Sequence, residues 1–579
     1  MGLSGSRLEP QELITFKKLP TNVSLESIEI PESPKNRRPT NVKWLVILGI
    51  FIAVFLPFLI YTMYYVDLKR IQVGYDKCGN VCGKKNAEWS GIECSGKNFT
   101  NLPYMQYEGY SRNQLVQLDV DFRERRCVAS CDSGHHVFED VCVKDRDISD
   151  YFVDDIGFGT YMHSVKWQVI VCCLISILIS MGMVFLFRYA VRFVVWGILI
   201  GSLLAFTVLV IGIWVLYGNM SDTGRDNDPR YQVLGFAIAL TILVIGLAIV
   251  LIWCRKKVHL VILLLKEATK AVFDMPGLIA IPVVCTFSIM ILTAIYLIIT
   301  FFMLNAGTLT PLNERSDTYT YQLNTVMKFS IVYNLVVYLW LVQFFTGIQY
   351  MVIAGAVSKW YFARDKGYLG NPIGTAISIA FKFHLGTVAF GAMLITLVQL
   401  IKSIILGLIK NEKIKVFVQS CIESIEKFFK FLSKNAYIIT AMHGQAFLRS
   451  GKRAAKLIFQ NIDDIIAVNF IGDFVLGMAK LLIVAFTLLI SWAILTIAPG
   501  IQMQAEHGSL NFIAYIVIGL VSILSASISF GVFETTIDTL FMCYCEDNML
   551  NDGMAKPYYM SRNMMEFVQE SKVIYAKKA

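Results

Sequence analysis

Trp340, Gln343, Gly347, Tyr350 and Ala354 recur at spacings of three and four, which places them on one arc of a helix about 80° wide. That arc carries two aromatic faces, an amide and two small residues. The faces of Trp and Tyr attract a positive charge through the ring quadrupole, so such an arc suits an organic cation. It equally suits plain contact between membrane helices, where small and polar residues gather even when nothing binds. A second set, Ser527, Gly531, Glu534 and Asp538, shares a face of the last apolar run. Carboxylates are costly in hydrocarbon, so Glu534 and Asp538 are expected to turn toward the bundle or water. Counted from Phe512, Glu534 lies about 33 Å along the helix at roughly 1.5 Å per residue, which puts the pair at an inner mouth. There it attracts a cation, exchanges a proton, or caps the bundle electrostatically.

Trp196 and Trp214 stand at the two ends of the third apolar run. Interfacial anchoring is their default role, and facing a pathway is the alternative. His384 and His443 are of the residue type that can change charge near neutral pH, but both read as helix-end residues. Pro276 and Pro282 can kink the span that follows Gly277, as in transporters with interrupted helices, or serve packing. The sequence contains no GxSxG, HExxH or Walker loop and no metal-ligand cluster at useful spacing, so neither an enzyme nor a metal site is expected.

Six of the 13 cysteines, Cys78, Cys82, Cys94, Cys127, Cys131 and Cys142, fall within the one large hydrophilic segment, 67–165. An even number confined to one loop predicts disulfides in an oxidising compartment, with the pairing left open. Zinc is the competing use, but no histidine sits at finger spacing. Asn98-Phe99-Thr100 is a glycosylation sequon in the same loop, and Asn219-Met220-Ser221 is another. Asn98 has more room above a bilayer.

The elements that carry these residues follow from composition. Of 579 residues, 56% are hydrophobic and 16% charged, against roughly 25% charged in a soluble domain. Apolar runs at 44–66, 169–187, 191–217, 235–253, 276–304, 328–354, 378–408, 472–498 and 511–540 suit membrane crossings. The first follows a polar stretch and lacks a small-residue cleavage site, so it reads as a retained anchor. Basic residues alternate between loops: Lys35, Arg37 and Arg38 before the first run, then Arg255–Lys257, Lys359 to Lys366, and Arg449 to Lys456. This bias accounts for the formal charge of +9 and places both termini in the cytosol. It implies no nucleic-acid partner. Keeping that alternation requires a further crossing between 409 and 449, where the candidate 428–448 is broken by Lys430, Lys434, Asn435 and His443. That segment reads as a crossing, a re-entrant piece or an interfacial helix. The expected fold is all-α, a polytopic membrane bundle of about ten helices with a large disulfide-bonded extracellular loop. Its parts are a disordered cytosolic tail at 1–43, the first span at 44–66, the loop at 67–165, the bundle at 166–540 and a cytosolic tail at 541–579.

Several motifs resemble those of the choline transporter-like family. Gly74-Tyr75-Asp76 with Gly79-Asn80-Val81-Cys82-Gly83 and Asn86 is similar to the start of that family's extracellular loop. Arg188-Tyr189 through Trp196 to Gly212-Ile213-Trp214 resembles its third span, and Ile353-Ala354-Gly355-Ala356-Val357 with Trp360-Tyr361 the end of its sixth. Lys434-Asn435-Ala436-Tyr437-Ile438 with Gly444 adds another point. The end signature is the strongest: Asp538-Thr539-Leu540-Phe541, Cys545-Glu546-Asp547, Asn551-Asp552-Gly553, Lys556-Pro557-Tyr558 and Met560-Ser561. The likeness runs in order from 74 to 562. Two departures are the single Cys421 in a stretch that relatives fill with cysteines, and Lys359 before the aromatic pair.

The resemblance implies a carrier of choline, and in some members ethanolamine, in plasma or organellar membranes. It implies transport without a sodium gradient, proton exchange as one proposed mode, a supply to phospholipid synthesis, and no cofactor. Choline is a quaternary ammonium with a hydroxyl tail, so its natural binder is an aromatic cage. On that reading Trp340 and Tyr350 cradle the ammonium and Gln343 binds the hydroxyl, while Gly347 gives the substrate or a neighbouring helix room. The other functional classes are a cation channel and a scaffold or receptor displaying the disulfide loop.

Overall fold

In hydrocarbon a backbone N–H or C=O has no water to bond, so long apolar runs must satisfy themselves internally as helices. The computed structural model describes residues 31–566 apart from 108–124, 134, 139, 221–228, 254, 312–317, 498–507, 552–555 and 563. Residues 1–30 and 567–579 of the two expected tails, and Ser221 of the second sequon, lie outside the described residues. The helices are α1 (Val42–Tyr64), the short α2 (Leu68–Gln72), α3 (Asp145–Asn219), α4 (Pro229–Trp253), α5 (Arg255–Asp274) and α6 (Ala280–Leu304). They continue with α7 (Thr325–Phe362), α8 (Pro372–Ile379), α9 (Leu385–Leu408), α10 (Glu412–His443), α11 (Phe447–Gln460), α12 (Ile462–Ile497) and α13 (Gly508–Leu550).

Among the described residues, eight helices are long and apolar enough to cross a membrane. One of them, Val165–Asn219 within α3, has 55 residues. At about 1.5 Å per residue it exceeds twice the roughly 30 Å hydrocarbon core. It breaks at Ala190 (φ −132°, ψ 30°), between Arg188 and Arg192, which divides it into two crossings.

The ambiguous stretch at 409–449 is α10, which folds back along α9. Near one end the Tyr437 hydroxyl donates to the Val388 carbonyl at 3.3 Å, and near the other Lys402 Nζ meets Glu423 and Glu426 at 3.3 Å. Both helices cover the same length between those contacts, so α10 retraces the depth that α9 spans. Its charges explain its weak hydropathy: Glu426 also pairs with Lys430 at 2.7 Å and accepts from Gln399 at 3.1 Å. Paired in this way, they need not face lipid.

The prolines differ from the expected kink. Pro276 opens a 3-10 turn (Pro276–Ile279) and Pro282 lies in the first turn of α6. Proline is tolerated there because the first N–H groups of a helix have no internal partner. An irregular span is the next but one, where a π-turn (Ala380–His384) joins α8 to α9.

All six loop cysteines are oxidised, as Cys78–Cys94, Cys82–Cys127 and Cys131–Cys142. They staple a small sheet of β1 (Tyr104–Tyr107), β2 (Arg125–Val128), β3 (His135–Phe138) and β4 (Val141–Lys144), in the order β2-β1-β4-β3. The sheet adds strands to an otherwise helical fold, outside the bundle. This cap docks on a hairpin between α6 and α7, formed by β5 (Thr308–Pro311) and β6 (Tyr319–Gln322). Tyr319 N donates to the Lys77 carbonyl at 2.8 Å, and the Tyr321 hydroxyl to that of Gly79 at 2.8 Å. The Arg70 guanidinium lies 3.8 Å from the centre of the Tyr321 ring.

The opposite end of the bundle is closed by residues 31–41. Arg37 is buried, donating to the Ala441 carbonyl at 2.6 Å and to His384 Nε2 at 3.2 Å. Burial pulls its guanidinium down to about 10, with Glu32 acting in the other direction. A guanidinium only donates, so His384 Nε2 accepts and the ring proton sits on Nδ1, 2.8 Å from Thr40 Oγ1.

Between these ends α7, α9 and α10 meet around Tyr437, which is 1% exposed. Gly347 and Gly391 make room for its ring: a Cβ on Gly391 would fall on the Tyr437 hydroxyl and 2.5 Å from Phe447 Cε2. Overpacking of this kind costs about 1–3 kcal/mol. Gly391→Ala is therefore expected to lower the melting temperature of the purified protein, and Tyr437→Phe in the same chain to restore part of the loss. Equal melting temperatures for Gly391→Ala and wild type would sink this account of the helix junction.

Candidate cation site

The α13 face that carries Glu534 and Asp538 turns inward, and what it meets is Lys434 of α10. Lys434 Nζ donates to Glu534 Oε1 at 3.1 Å and pairs with Asp538 Oδ2. The same ammonium lies 5.4 Å from the ring centre of Tyr350 on α7. Lys480 of α12 approaches the other oxygen of Glu534 at 3.9 Å. Four helices thus contribute to one charged cluster, in which the Lys434 side chain is 12% exposed, Asp538 16% and Glu534 38%. Beside Asp538 is a void of about 10 Å³ bounded by Phe431, Asn435, Ile465, Val468, Asn469 and Phe541. It has room for about one water.

The cluster does not sit at the end of its helix. Because α13 runs on to Leu550, Glu534 lies about 24 Å from that end at roughly 1.5 Å per residue. The residues after it build a separate layer. Glu546, fully buried, accepts from Arg453 at 2.5 and 2.8 Å, with His443 Nε2 3.0 Å away. Asp547 accepts from the Tyr361 hydroxyl at 3.1 Å and from the N–H groups of Tyr559 and Met560 at 2.8 and 2.9 Å. The end signature therefore fastens the chain's last described residues beneath the bundle. His443 ends α10, and His384 is the last residue of the π-turn and stands at the N-cap of α9.

The aromatic arc of α7 separates by height. Tyr350 joins the charged cluster, but Trp340 lies about 15 Å away along the helix at roughly 1.5 Å per residue. Trp340 is buried with Leu48, Ala389 and Ala392, its ring 5.4 Å from that of Phe51 and its indole N–H donating to the Ala389 carbonyl at 3.1 Å. Gln343 is half-buried between the two heights, and Gly347 faces Val388 and Tyr437, giving room to neighbouring helices. Trp196 is half-buried against the core, while Trp214 is exposed and donates to Thr241 at 3.0 Å. Neither tryptophan joins the cluster. Asn98 is exposed on the disulfide cap, its carboxamide oxygen accepting from the Thr100 N–H at 3.2 Å.

Reading by motif and hydropathy missed the role of Lys434, which counted as an interruption of a span and as part of a family-like motif, but not as a partner of Glu534 and Asp538. The usable signal was a lysine in one crossing and a carboxylate pair in another, neither of which can face lipid alone. At this depth an ammonium, two carboxylates and a phenol ring can hold or exchange a cation.

The family described as plasma-membrane choline transporter matches residues 238–549, which include Tyr350, Lys434, Glu534 and Asp538. Choline transporter-like protein 1 of Xenopus laevis is 27% identical over 87% of this chain and 88% of its own length. Choline transporter-like protein 3 of Homo sapiens is 25% identical over 92% of each. Choline transporter-like protein 2 of Dictyostelium discoideum is 26% identical over 86% of this chain and 89% of its own.

The Trp340 contacts separate a packing role from any other. Trp340→Phe keeps a ring but loses the indole hydrogen bond to the Ala389 carbonyl, at about 1 kcal/mol. Trp340→Leu also loses ring contacts and is expected to melt lower still. An unchanged melting temperature in both variants would show that the indole does not hold α7 to α9.

Proposed function

The chain belongs to the plasma-membrane choline transporter family, and from that premise we infer that it is a choline transporter whose substrate passes through the Tyr350–Glu534–Asp538 cluster. A quaternary ammonium cannot donate a hydrogen bond, so it is held by charge and by aromatic faces. The observation that carries this reading is the Lys434 ammonium, which is already held by Glu534 at 3.1 Å, by Asp538 and by the Tyr350 face at 5.4 Å. The bundle thereby stabilises an organic cation inside the membrane with the groups choline needs. Ethanolamine carries an ammonium like that of lysine, and the same groups suit it.

Family membership also supports a plasma-membrane location. We read the end closed by residues 31–41 as cytosolic, because Arg37, Lys359, Arg364, Arg449 and Lys452 gather in its short connections. The disulfide cap and Asn98 then lie outside. Glu534 and Asp538 are also the groups that would exchange a proton, the mode that suits transport without a sodium gradient. The channel and receptor readings gain nothing from the family.

Uptake of radiolabelled choline into proteoliposomes tests the site. Unit charges about 4 Å apart attract by about 4 kcal/mol at the effective dielectric of a protein, so even when that attraction is partly offset Asp538→Asn and Glu534→Gln should each cut uptake at low choline about tenfold or more. Tyr350→Phe keeps the ring and should stay near wild type, whereas Tyr350→Leu should not. Steering alone would make the loss larger at low ionic strength than at high. Wild-type uptake in both carboxylate variants would move the site elsewhere.

A further inference from the structure

We propose that Lys434 is a tethered competitor for the choline site: its ammonium occupies the space between Asp538, Glu534 and Tyr350 when no substrate is present, and it must leave for choline to bind. The inference rests on the site reading above and adds an occupant to it.

Three observations lead there. The ligands of Lys434 are those a cationic substrate requires, and the adjoining void of about 10 Å³ is far smaller than choline. Choline and the ammonium therefore cannot share the cluster as it stands. Lysine is also suited to leaving, since it is a compact charge on a flexible stem of four methylenes with freely rotating donors. Finally, the neighbours provide for both states. Lys480, 3.9 Å from Glu534, continues to offset that carboxylate when Lys434 withdraws. Asp473, seven residues before Lys480 on α12 and so on the same face of that helix, offers the displaced ammonium another anchor.

The physical reason for such a residue is the cost of an empty site. Two carboxylates one turn apart on the inward face of a helix are strongly destabilising without a cation. A carrier must nevertheless pass through a substrate-free state on every cycle. A lysine that closes the site from within lets the empty protein keep its packing without taking an ion from solution. It also helps to release choline by competing for the same carboxylates, so substrate affinity is lower than the site alone would give and turnover is higher.

Choline binding to purified full-length protein and choline uptake into proteoliposomes test this on the same variants. Lys434→Met keeps the length and apolar stem and removes the charge. It should bind radiolabelled choline about tenfold more tightly than wild type, with KM and kcat for uptake falling together. Choline should also raise its melting temperature more than that of wild type, because the substrate then supplies the missing cation. Lys434→Arg keeps a charge in place and should bind choline no more tightly than wild type. Wild-type or weaker choline affinity in a folded Lys434→Met protein would overturn the proposal, as would a Lys434→Met protein that choline fails to stabilise. Asp538→Asn separates the two levels of argument. Loss of choline affinity there without a gain in Lys434→Met overturns the competitor alone, and unchanged affinity in Asp538→Asn overturns the site beneath it.

Discussion

A charge in hydrocarbon must find its opposite, and in this bundle that requirement is met where the Lys434 ammonium reaches Glu534 and Asp538. Neither partner can turn to lipid, so each fixes how its own helix is rotated. α13 must direct its carboxylate face inward, and α10 must lie close enough for a lysine to reach it. Tyr350 from α7 and Lys480 from α12 then enclose the same point. This explains how a helix as polar as α10 belongs inside a membrane bundle.

The layers on either side of that point are built differently. Toward the disulfide cap, α9 and α10 are joined by Lys402, Glu423 and Glu426, and aromatic rings from α1 and α7 stack along their contact, as Phe51 does on Tyr333 at 4.4 Å. Toward the other end, Glu546 and Asp547 gather Arg453, His443, Tyr361 and the backbone at 559–560 into a hydrogen-bonded floor. The charged cluster thus lies between a floor of satisfied polar groups and a region of aromatic packing.

How much of this the sequence discloses depends on which coordinate is needed. The apolar runs, the oxidised state of the six loop cysteines and the clustering of basic residues at one end were legible, because hydropathy, cysteine count and charge bias report composition directly. The place of α10 in the bundle was ambiguous, since its charges are satisfied by α9 and α13, and no property of the segment itself records its partners. The helical-wheel argument grouped Trp340 with Tyr350 correctly in angle, but a wheel discards height. One residue went to packing and the other to the charged cluster. Pro276 and Pro282 marked a helix start rather than a kink, a distinction set by where the helix begins.

The segment that closes the bundle opposite the disulfide cap is joined across long stretches of sequence, Arg37 bonding to His384 and Ala441 at separations of 347 and 404 residues. During synthesis the amino-terminal segment is therefore made long before its binding surface exists. When α1 enters the membrane, neither the π-turn nor the last carbonyls of α10 have been translated, and Arg37 must remain solvated until both have been inserted. Its docking requires that the π-turn and the end of α10 have come together, so a chain truncated before α10 leaves that basic segment without its binding surface.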